Sequence, residues 1–356
     1  MISDRRCFYC ACSSVNRSFS SQTLPEEKRM KVIDVHNHVN PRPFLEAVRA
    51  GHSWYGFTAE HGELENPRNH WTLEERITEM DRLGVDIQAL TVYGDFNKYD
   101  QAPEHTKAAV RACNDEVAAL VDEYPDRFVG LGILPMQDVA ASVVELERAV
   151  TDLGLKGVTI KDHINGNTLD EPQFLQFWEA AERLGAVVEF HQGSTIVAQR
   201  IPRYFLENTV GNLVERVLTF GTLVHGGIID RFPKLKVCLL HGGGYVAFGV
   251  ARMDKGWEAA KLDYMVKYSS EDARQSISRP PSQYVGSFYY DCCTFSESTL
   301  RFLIDTVGIE RVAFGTDYPC PMEMVDSVNW VNSLGSLTCS EKQAILSVNP
   351  ALMLGI

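Results

Sequence analysis

Short apolar runs alternate with amphipathic stretches along most of this chain, and this alternation limits the folds that it can adopt. From residue 31 onward the runs occur at 31–36, 85–92, 128–134, 156–160, 186–190, 235–240, 287–291 and 311–315. Most of them are apolar nearly throughout, which is typical of parallel strands buried on both faces. The stretches between them have helical spacing, and several end at a glycine, which is a helix-stop signal. The pattern predicts a series of β-then-α units.

Eight consecutive β-then-α units predict an α/β fold of the (β/α)8 TIM-barrel type. A doubly wound open sheet is the competing fold, but no glycine-rich phosphate loop follows the first predicted strand. The barrel is predicted over residues 31–356, with a small cap insertion at 41–70 after the first strand. Residues 1–30 are rich in Ser and Arg and lack a clear period, so we predict a flexible N-terminal tail there.

The composition excludes several classes of function. A formal net charge of -13 argues against general binding to nucleic acids or to anionic membranes, because both require a basic surface. No apolar run reaches the roughly 18 residues that a membrane-spanning helix needs. The nine cysteines are odd in number and do not form the pattern of a secreted disulfide framework. A reducing, cytoplasmic location is therefore predicted.

Side chains that can bind metals close several of the predicted strands. The first strand ends in His36 and His38, the fifth in His191 and the sixth in His241, and Asp317 follows the eighth. Alternate residues of a strand share a face, so both imidazoles of the first strand can point into the barrel mouth. Reactive groups of such barrels lie at the C-terminal ends of the strands. Taken singly, each has a structural interpretation as a hydrogen-bonded histidine or a turn-forming aspartate.

A shared site explains these five side chains better than five separate structural roles. Burying several imidazoles and a carboxylate at one place is costly unless something binds them, and a divalent metal ion does so. Three histidine nitrogens and one carboxylate suit Zn²⁺, with Mn²⁺, Fe²⁺ or Co²⁺ as alternatives. The sequence therefore predicts one divalent metal ion at the mouth of the barrel.

Four motifs resemble those of the amidohydrolase superfamily. They are DVHNHV, EFHQG, PKLKVCLLHGGGYVAFGVARMD and FGTDYPCPM, and the nearest branch is that of aminocarboxymuconate semialdehyde decarboxylase and its relatives. The segments MDRLGV, RFVGLGILPMQ and FPKLKV add to the resemblance, which extends from about Lys31 to the C-terminus. The resemblance implies a metal-dependent barrel enzyme that acts on a small-molecule carboxylate.

The resemblance also implies roles for the residues that match its motifs. His36, His38, His191 and Asp317 would hold the metal, and Asp317 would belong to the catalytic machinery as well. His241 would be the general acid and base that works on water activated by the metal. This division of labour is chemically consistent, because bound Zn²⁺ lowers the pKa of water towards about 7 and histidine exchanges protons near neutral pH.

The substrate-binding residues are less fully specified by the sequence. Arg252 matches a family arginine that reaches the active site of the neighbouring subunit, which implies a homodimer and a bond to a substrate carboxylate. Its alternative is a helix-surface arginine. His163 and Asn165 follow the fourth strand and are candidates either for lining the pocket or for shaping a turn. For Lys161, three roles are open: a carbamylated bridge between two metals, a contact with a substrate carboxylate, and a plain surface lysine.

Two positions depart from the pattern of the decarboxylase itself. Leu64 stands near the place of a second substrate-binding arginine, and Gln192 and Gly193 replace a Pro-Trp pair. A related carboxylated aromatic or muconate-like compound is therefore predicted as the substrate. Asp291, which ends the seventh strand, could order the metal ligands or cap a turn.

Three functions are compatible with these residues. The first is a metal-dependent carboxy-lyase that removes CO₂ from the substrate, and the second is a metal-dependent hydrolase of an amide, lactone or C–C bond. Both would use the same site, so release of CO₂ or of a new carboxylate or amine distinguishes them. The third is a barrel that only binds ligands. An intact ligand set beside a proton-transfer histidine argues against this third function.

Overall fold

The computed structural model of the protein describes residues 30–191, 193–262 and 277–356. Its eight strands form one parallel series in which each strand pairs with the next along the chain. They are β1 (Ile33–Val39), β2 (Ile87–Val92), β3 (Phe128–Gly132), β4 (Gly157–Lys161), β5 (Val187–His191), β6 (Lys236–Leu239), β7 (Phe288–Asp291) and β8 (Val312–Ala313). Each predicted apolar run overlaps one of these strands.

The first and last strands meet and close the sheet into a barrel. The Val35 amide donates to the Phe314 carbonyl at 2.9 Å, and the His38 amide donates to the Tyr318 carbonyl at 2.7 Å. The Asp317 amide donates in turn to the His36 carbonyl at 2.8 Å. These bonds join the ends of β1 and β8, so the (β/α)8 TIM barrel predicted from the sequence is confirmed.

Helices connect the strands and cover the outside of the barrel. The α-helices of the described residues are α1 (Arg42–Arg49), α2 (Leu73–Leu83), α3 (Pro103–Glu123), α4 (Val139–Thr151), α5 (Leu175–Leu184), α6 (Asn212–His225), α7 (Ile228–Arg231), α8 (Val246–Ala259), α9 (Glu297–Val307), α10 (Ser327–Ser333), α11 (Cys339–Gln343) and α12 (Asn349–Leu354). Helix α2 begins at a capping box formed by Thr72 and Glu75. It ends at Gly84 in the left-handed conformation, as the sequence predicts.

The apolar core has two parts that follow the alternation of the strands. Inside the barrel a small cluster includes Ile33, Val35, Ile87, Ala89, Leu131, Val187, Cys238, Leu240 and Ala313. The neighbouring strand residues, such as Val188 and Phe190, belong instead to the larger cluster between the barrel and the helices. Because successive side chains of a strand point to opposite faces, most of the strands are largely apolar and are buried on both sides.

A β-bulge in β1 changes which residues of that strand face the barrel interior. Asp34 pairs with Gln88, but the next paired residue of β1 is Asn37, opposite Leu90. Three residues of β1 therefore span the distance that two residues of β2 cover, which is the signature of a bulge. Ile33 and Val35 face inward before it, and the histidines at positions 36 and 38 face the barrel mouth after it.

The predicted cap contains α1 and a turn of 3-10 helix at Pro67–His70. Phe44, Trp54 and Phe57 of this segment form an aromatic cluster with Phe96, whose ring lies 4.7 Å from that of Phe57. The division into a tail at 1–30, a barrel at 31–356 and a cap at 41–70 remains a prediction. The predicted tail, apart from Met30, lies outside the described residues, as does Gln192. No helix in the described ranges is long and apolar enough to cross a membrane.

Candidate metal centre

The barrel mouth gathers the five side chains that the sequence analysis selected. Candidate ligand atoms of His36, His191, His241 and Asp317 all lie within 4.8 Å of one another. A second group of atoms with the same spacing consists of His38, Asp317 and Cys320. Asp317 joins the two groups, because Nε2 of both His36 and His38 lies 3.2 Å from its Oδ1 atom. The prediction that these residues converge agrees with the geometry.

Asp291 orients the first histidine of the cluster. Its Oδ2 atom lies 2.6 Å from Nδ1 of His36, and both side chains are buried. The Oδ1 atom of Asp291 accepts the Gly242 amide at 2.6 Å and the Cys293 amide at 3.2 Å. These bonds fix the carboxylate, so Nδ1 of His36 carries the hydrogen and Nε2 is left to bind a metal. Of the two roles open for Asp291, ordering the metal ligands fits this geometry.

The pKa values of two cluster histidines and of the Asp317 carboxylate lie below their ordinary values. Burial lowers the pKa of His191 well below its ordinary value, and the nearby His38 and His36 lower it further. Burial also lowers the pKa of His38. Burial alone would raise the pKa of Asp317, but His36 and His241 hold it well below its ordinary value. Neutral imidazoles at His38 and His191 beside an ionised Asp317 are the protonation states that metal binding requires. The pKa of His36 differs, because Asp317 and Asp291 raise it well above its ordinary value despite burial.

Several imidazole nitrogens of the cluster are buried without a hydrogen-bond partner among the described residues. They include Nδ1 of His38, Nδ1 of His241 and both ring nitrogens of His191. Buried polar atoms without partners are costly, and a bound cation satisfies such lone pairs. The residues present therefore fit a divalent metal ion, which would be bound by imidazole nitrogens and a carboxylate oxygen.

Local backbone conformation aims two of these side chains at the cluster. Both His241 and Asp317 adopt left-handed conformations, with φ of 59° and 63°. Such values are uncommon for residues other than glycine and concentrate at functional sites. After His241, the chain turns through Gly242–Gly244, where a Cβ on Gly243 would lie 2.4 Å from the ring of Tyr290. Only glycine fits this turn, which explains the HGGG motif.

His241 is more exposed than the other histidines of the cluster, which suits a role different from metal binding. The side chains of His36 and His38 are 1% and 0% exposed, whereas that of His241 is 12% exposed. His241 also lines an open cavity of about 860 Å³, and its Nε2 atom lies 3.7 Å from Oδ2 of Asp317. A histidine that faces the cavity can exchange a proton with a bound molecule. The enclosed histidines are better placed as ligands.

The cavity beside His241 has a largely apolar wall. Its aromatic lining includes Tyr245, Phe248, Phe295 and Phe302. Phe248 and Phe295 are 83% and 52% exposed, so the rim presents aromatic rings to the surroundings. Clefts of this size and character are typical of sites for small organic molecules.

Two of the predicted substrate-binding residues make hydrogen bonds to loop carbonyls outside the histidine cluster. Nε2 of His163 pairs with the Ser194 carbonyl at 2.7 Å, and Nδ2 of Asn165 donates to the Tyr99 carbonyl at 2.6 Å. These bonds tie neighbouring loops together, and a contact with substrate remains a prediction for both residues. Arg252 is exposed on α8, one turn after Phe248. Its role also remains a prediction.

Two functional candidates were missed at the sequence level. Arg76 of α2 is buried and donates to the His38 carbonyl at 2.6 Å and to Oδ1 of Asn37 at 2.8 Å. Cys320 places its sulfur beside His38 and Asp317. The motif WTLEERITEMD contains Arg76 at a helical position facing the core, but nothing in the pattern shows that it holds the metal-binding strand.

Comparison with known proteins agrees with this site. The family model described as Amidohydrolase matches residues 33–356. The chain belongs to the amidohydrolase family. Among amidohydrolase relatives, the 2-amino-3-carboxymuconate-6-semialdehyde decarboxylase of Dictyostelium discoideum is 32% identical over 337 residues, which cover 91% of each chain.

Solved structures of decarboxylases share the fold of this amidohydrolase. The 5-carboxyvanillate decarboxylase of Sphingomonas paucimobilis superposes with a TM-score of 0.79 at 24% identity, covering 92% of this chain and 100% of that chain. The 5-carboxyvanillate decarboxylase of Novosphingobium aromaticivorans, complexed with manganese and 4-hydroxy-3-methoxy-5-nitrobenzoic acid, gives a TM-score of 0.76 at 22% identity. That superposition covers 93% of this chain and 97% of the other.

Proposed function

We propose that this amidohydrolase is a metal-dependent carboxy-lyase that removes CO₂ from a carboxylated aromatic or muconate-like small molecule. The observation that carries the proposal is the placement of His241. It is the cluster histidine that lines the cavity, and it stands beside a carboxylate and three buried imidazoles. Similarity to a decarboxylase along 91% of both chains supports the same function.

His36, His38, His191 and Asp317 would hold the metal, which when bound supplies a Lewis acid that binds and orients substrate oxygens. Asp291 keeps His36 in the tautomer that leaves Nε2 free for binding. The aromatic residues of the cavity provide an apolar surface for a flat, conjugated substrate. The carbon that bears the carboxylate would then lie next to His241.

His241 performs the proton transfer in this mechanism. Protonated at Nε2, it gives its proton to the carbon that bears the carboxylate, and conjugation is interrupted at that carbon. The bond from this carbon to the carboxylate then breaks, CO₂ leaves, and the bonding electrons restore the conjugated system. One proton is consumed and one CO₂ is released, so His241 must regain its proton from solvent before the next turnover.

The test is CO₂ release by the metal-loaded protein from a panel of carboxylated phenols and muconate semialdehydes. His241→Asn is expected to slow CO₂ release by about 10²–10⁴-fold while keeping its metal. The matched control is His225→Asn, which changes a histidine at the end of α6 outside the cluster and should retain full activity. A new carboxylate or amine product without CO₂ would support the hydrolase alternative instead.

We propose Zn²⁺ as the metal, because three nitrogens and one carboxylate form a typical zinc ligand set. The manganese bound by the decarboxylase of Novosphingobium aromaticivorans makes Mn²⁺ the principal alternative. Elemental analysis of protein purified without added metal tests this choice. About one zinc ion per chain is expected.

We also propose a homodimer in which Arg252 reaches the site of the partner subunit. Arg252 and Phe248 lie one turn apart on α8, beside the exposed aromatic rim of the cavity. A second copy that covers this rim would therefore bury both side chains. Mixing Arg252→Ala with His241→Asn protein tests the idea. Hybrid dimers should regain activity, since one of their sites has both residues intact, whereas a site that uses its own arginine would stay inactive.

The proposed location is the cytoplasm. The six described cysteines, Cys113, Cys238, Cys292, Cys293, Cys320 and Cys339, are all free thiols. Free thiols are typical of a reducing compartment. Cell fractionation with an antibody against the chain tests this location.

A further inference from the structure

Lys161 occupies the last position of β4, beside the metal centre. In the β4–β5 ladder it pairs directly with His191. Two residues earlier on the same face, the Thr159 hydroxyl donates to Oε2 of Glu189 at 3.3 Å. Val158 and Ile160 belong to the cluster outside the barrel, so Lys161 leaves the strand on the interior face. It therefore starts from the same layer of the barrel as His191.

The surroundings of Lys161 hold its side chain in place without neutralising its charge. Its methylene groups pack on Gly193, where a Cβ would lie 3.1 Å from Cδ of the lysine. Its ammonium group lies 5.6 Å from the centre of the Tyr99 ring. Within the described part of the chain, no carboxylate comes within the 4.0 Å of an ion pair with this ammonium. The charges of Asp95 and Asp100 raise the pKa of Lys161, but neither carboxylate is in contact with the ammonium.

A partly buried ammonium that contacts no carboxylate among the described residues is an unusual arrangement. Burial lowers the pKa of Lys161, and the two distant aspartates partly offset this effect. The side chain would gain most from an anion that enters the barrel mouth and contacts it directly. Adjacent strands are about 4.8 Å apart, so such an anion would lie close to a group bound at the metal centre.

We propose that Lys161 binds a second anionic group of the substrate, so that the preferred substrate carries two negatively charged groups rather than one. This inference rests on the proposed function, because it places the first group at the metal centre. Lys161 is then the residue that selects dianionic over monoanionic compounds. Of the three roles that the sequence leaves open, the contact with a substrate carboxylate is the one that this geometry supports.

Calorimetric binding of two probes to the metal-loaded protein tests the proposal. Benzoate carries one carboxylate and isophthalate carries two, on the same ring. Wild-type protein should bind isophthalate about tenfold more tightly than benzoate. Lys161→Met, which keeps the apolar stem, should lose this preference with little change in benzoate binding, and Lys161→Arg should restore part of it. Lys98→Met is the control, since that nearby cation contacts His61 and should leave the preference intact.

Equal preferences in wild type and Lys161→Met would overturn the proposal. Two metal ions per wild-type chain, with the second lost in Lys161→Met and restored by bicarbonate only in wild type, would also overturn it in favour of a carbamylated bridge. Binding is measured without turnover, so the role of Lys161 and the decarboxylase function can be refuted independently of each other. A Lys161-dependent preference without CO₂ release from any substrate would refute only the decarboxylase. CO₂ release without such a preference would refute only the role of Lys161.

Discussion

The carboxylate of Asp291 lies 2.6 Å from Nδ1 of His36, and this contact joins β7 to the metal-binding end of β1. Asp291→Asn should weaken metal binding by about 10–100-fold. The neutral amide is a weaker hydrogen-bond acceptor than the carboxylate, so it holds the His36 ring less firmly in the orientation that binds metal. Competition with a chromophoric chelator measures this affinity. Asp122→Asn, an exposed change on α3, is the matched control and should bind metal as wild type does. Unchanged affinity in Asp291→Asn would assign the aspartate a purely structural role.

Metal content should distinguish the ligand histidines from the proton-transfer histidine. His38→Ala is expected to lose its metal on dialysis, since Nε2 of this enclosed side chain lies 3.2 Å from Asp317. His241→Ala should keep its metal, because His241 faces the cavity. Elemental analysis after dialysis gives the answer for both variants. The opposite result would make His241 a ligand and His38 a supporting residue.

Arg76 should be essential for the stability of β1. It is buried and donates to the His38 carbonyl, to Asn37 and to Gln88 at 2.6–2.8 Å. Arg76→Met leaves these acceptors without a donor and should lower the free energy of unfolding by about 3 kcal/mol.

Urea denaturation at fixed metal concentration measures the effect of Arg76→Met. The control is Arg82→Met, further along α2, where the arginine is 61% exposed and pairs with Glu79. That exposed ion pair should contribute less than about 1 kcal/mol to the free energy of unfolding. Equal losses in the two variants would contradict the special role of Arg76.

Glu189 should make the stability of the protein depend on pH. Burial raises its pKa from 4.5 to about 8, and its Oε1 atom has no hydrogen-bond partner among the described residues. Between these values the folded protein keeps a proton that the unfolded chain releases. Stability therefore falls as pH rises through this window, by at most about 1.4 kcal/mol per pH unit.

Glu189→Gln removes the titrating group and keeps the shape of the side chain. Relative to wild type, the variant should become progressively more stable from pH 5.5 to pH 8, as about one proton is involved. Urea denaturation across this range measures the difference. Glu104→Gln, an exposed change at the start of α3, should show a constant difference at all pH values. Parallel profiles for wild type and Glu189→Gln would show that the glutamate is ionised in the folded state.

Much of the fold could be predicted from the sequence because each strand is buried on both faces. The apolar runs are therefore long enough to be recognised in the sequence as eight strands. Helix-stopping residues such as Gly84 mark where the helices between them end. Convergence of His36, His191, His241 and Asp317 then follows from the barrel, since all four leave the same ends of their strands.

Other features depend on contacts that no local pattern reveals. The bulge in β1 appears only when Asp34 and Asn37 are paired with β2. Had the alternation continued unbroken from Ile33 and Val35, the two histidines of β1 would face away from the interior. The bond between His36 and Asp291 joins residues 255 positions apart. Sequence reasoning could list Asp291 as a candidate but could not choose between its roles.

The most direct test is to remove all metal from the protein and titrate CO₂ release against added Zn²⁺ or Mn²⁺. We expect no CO₂ release from the stripped protein and an increase that saturates at about one ion per chain. The His36→Ala, His38→Ala double variant should stay inactive at every metal concentration. CO₂ release by the stripped protein, or activity that persists in the double variant, would contradict a catalytic metal at these histidines.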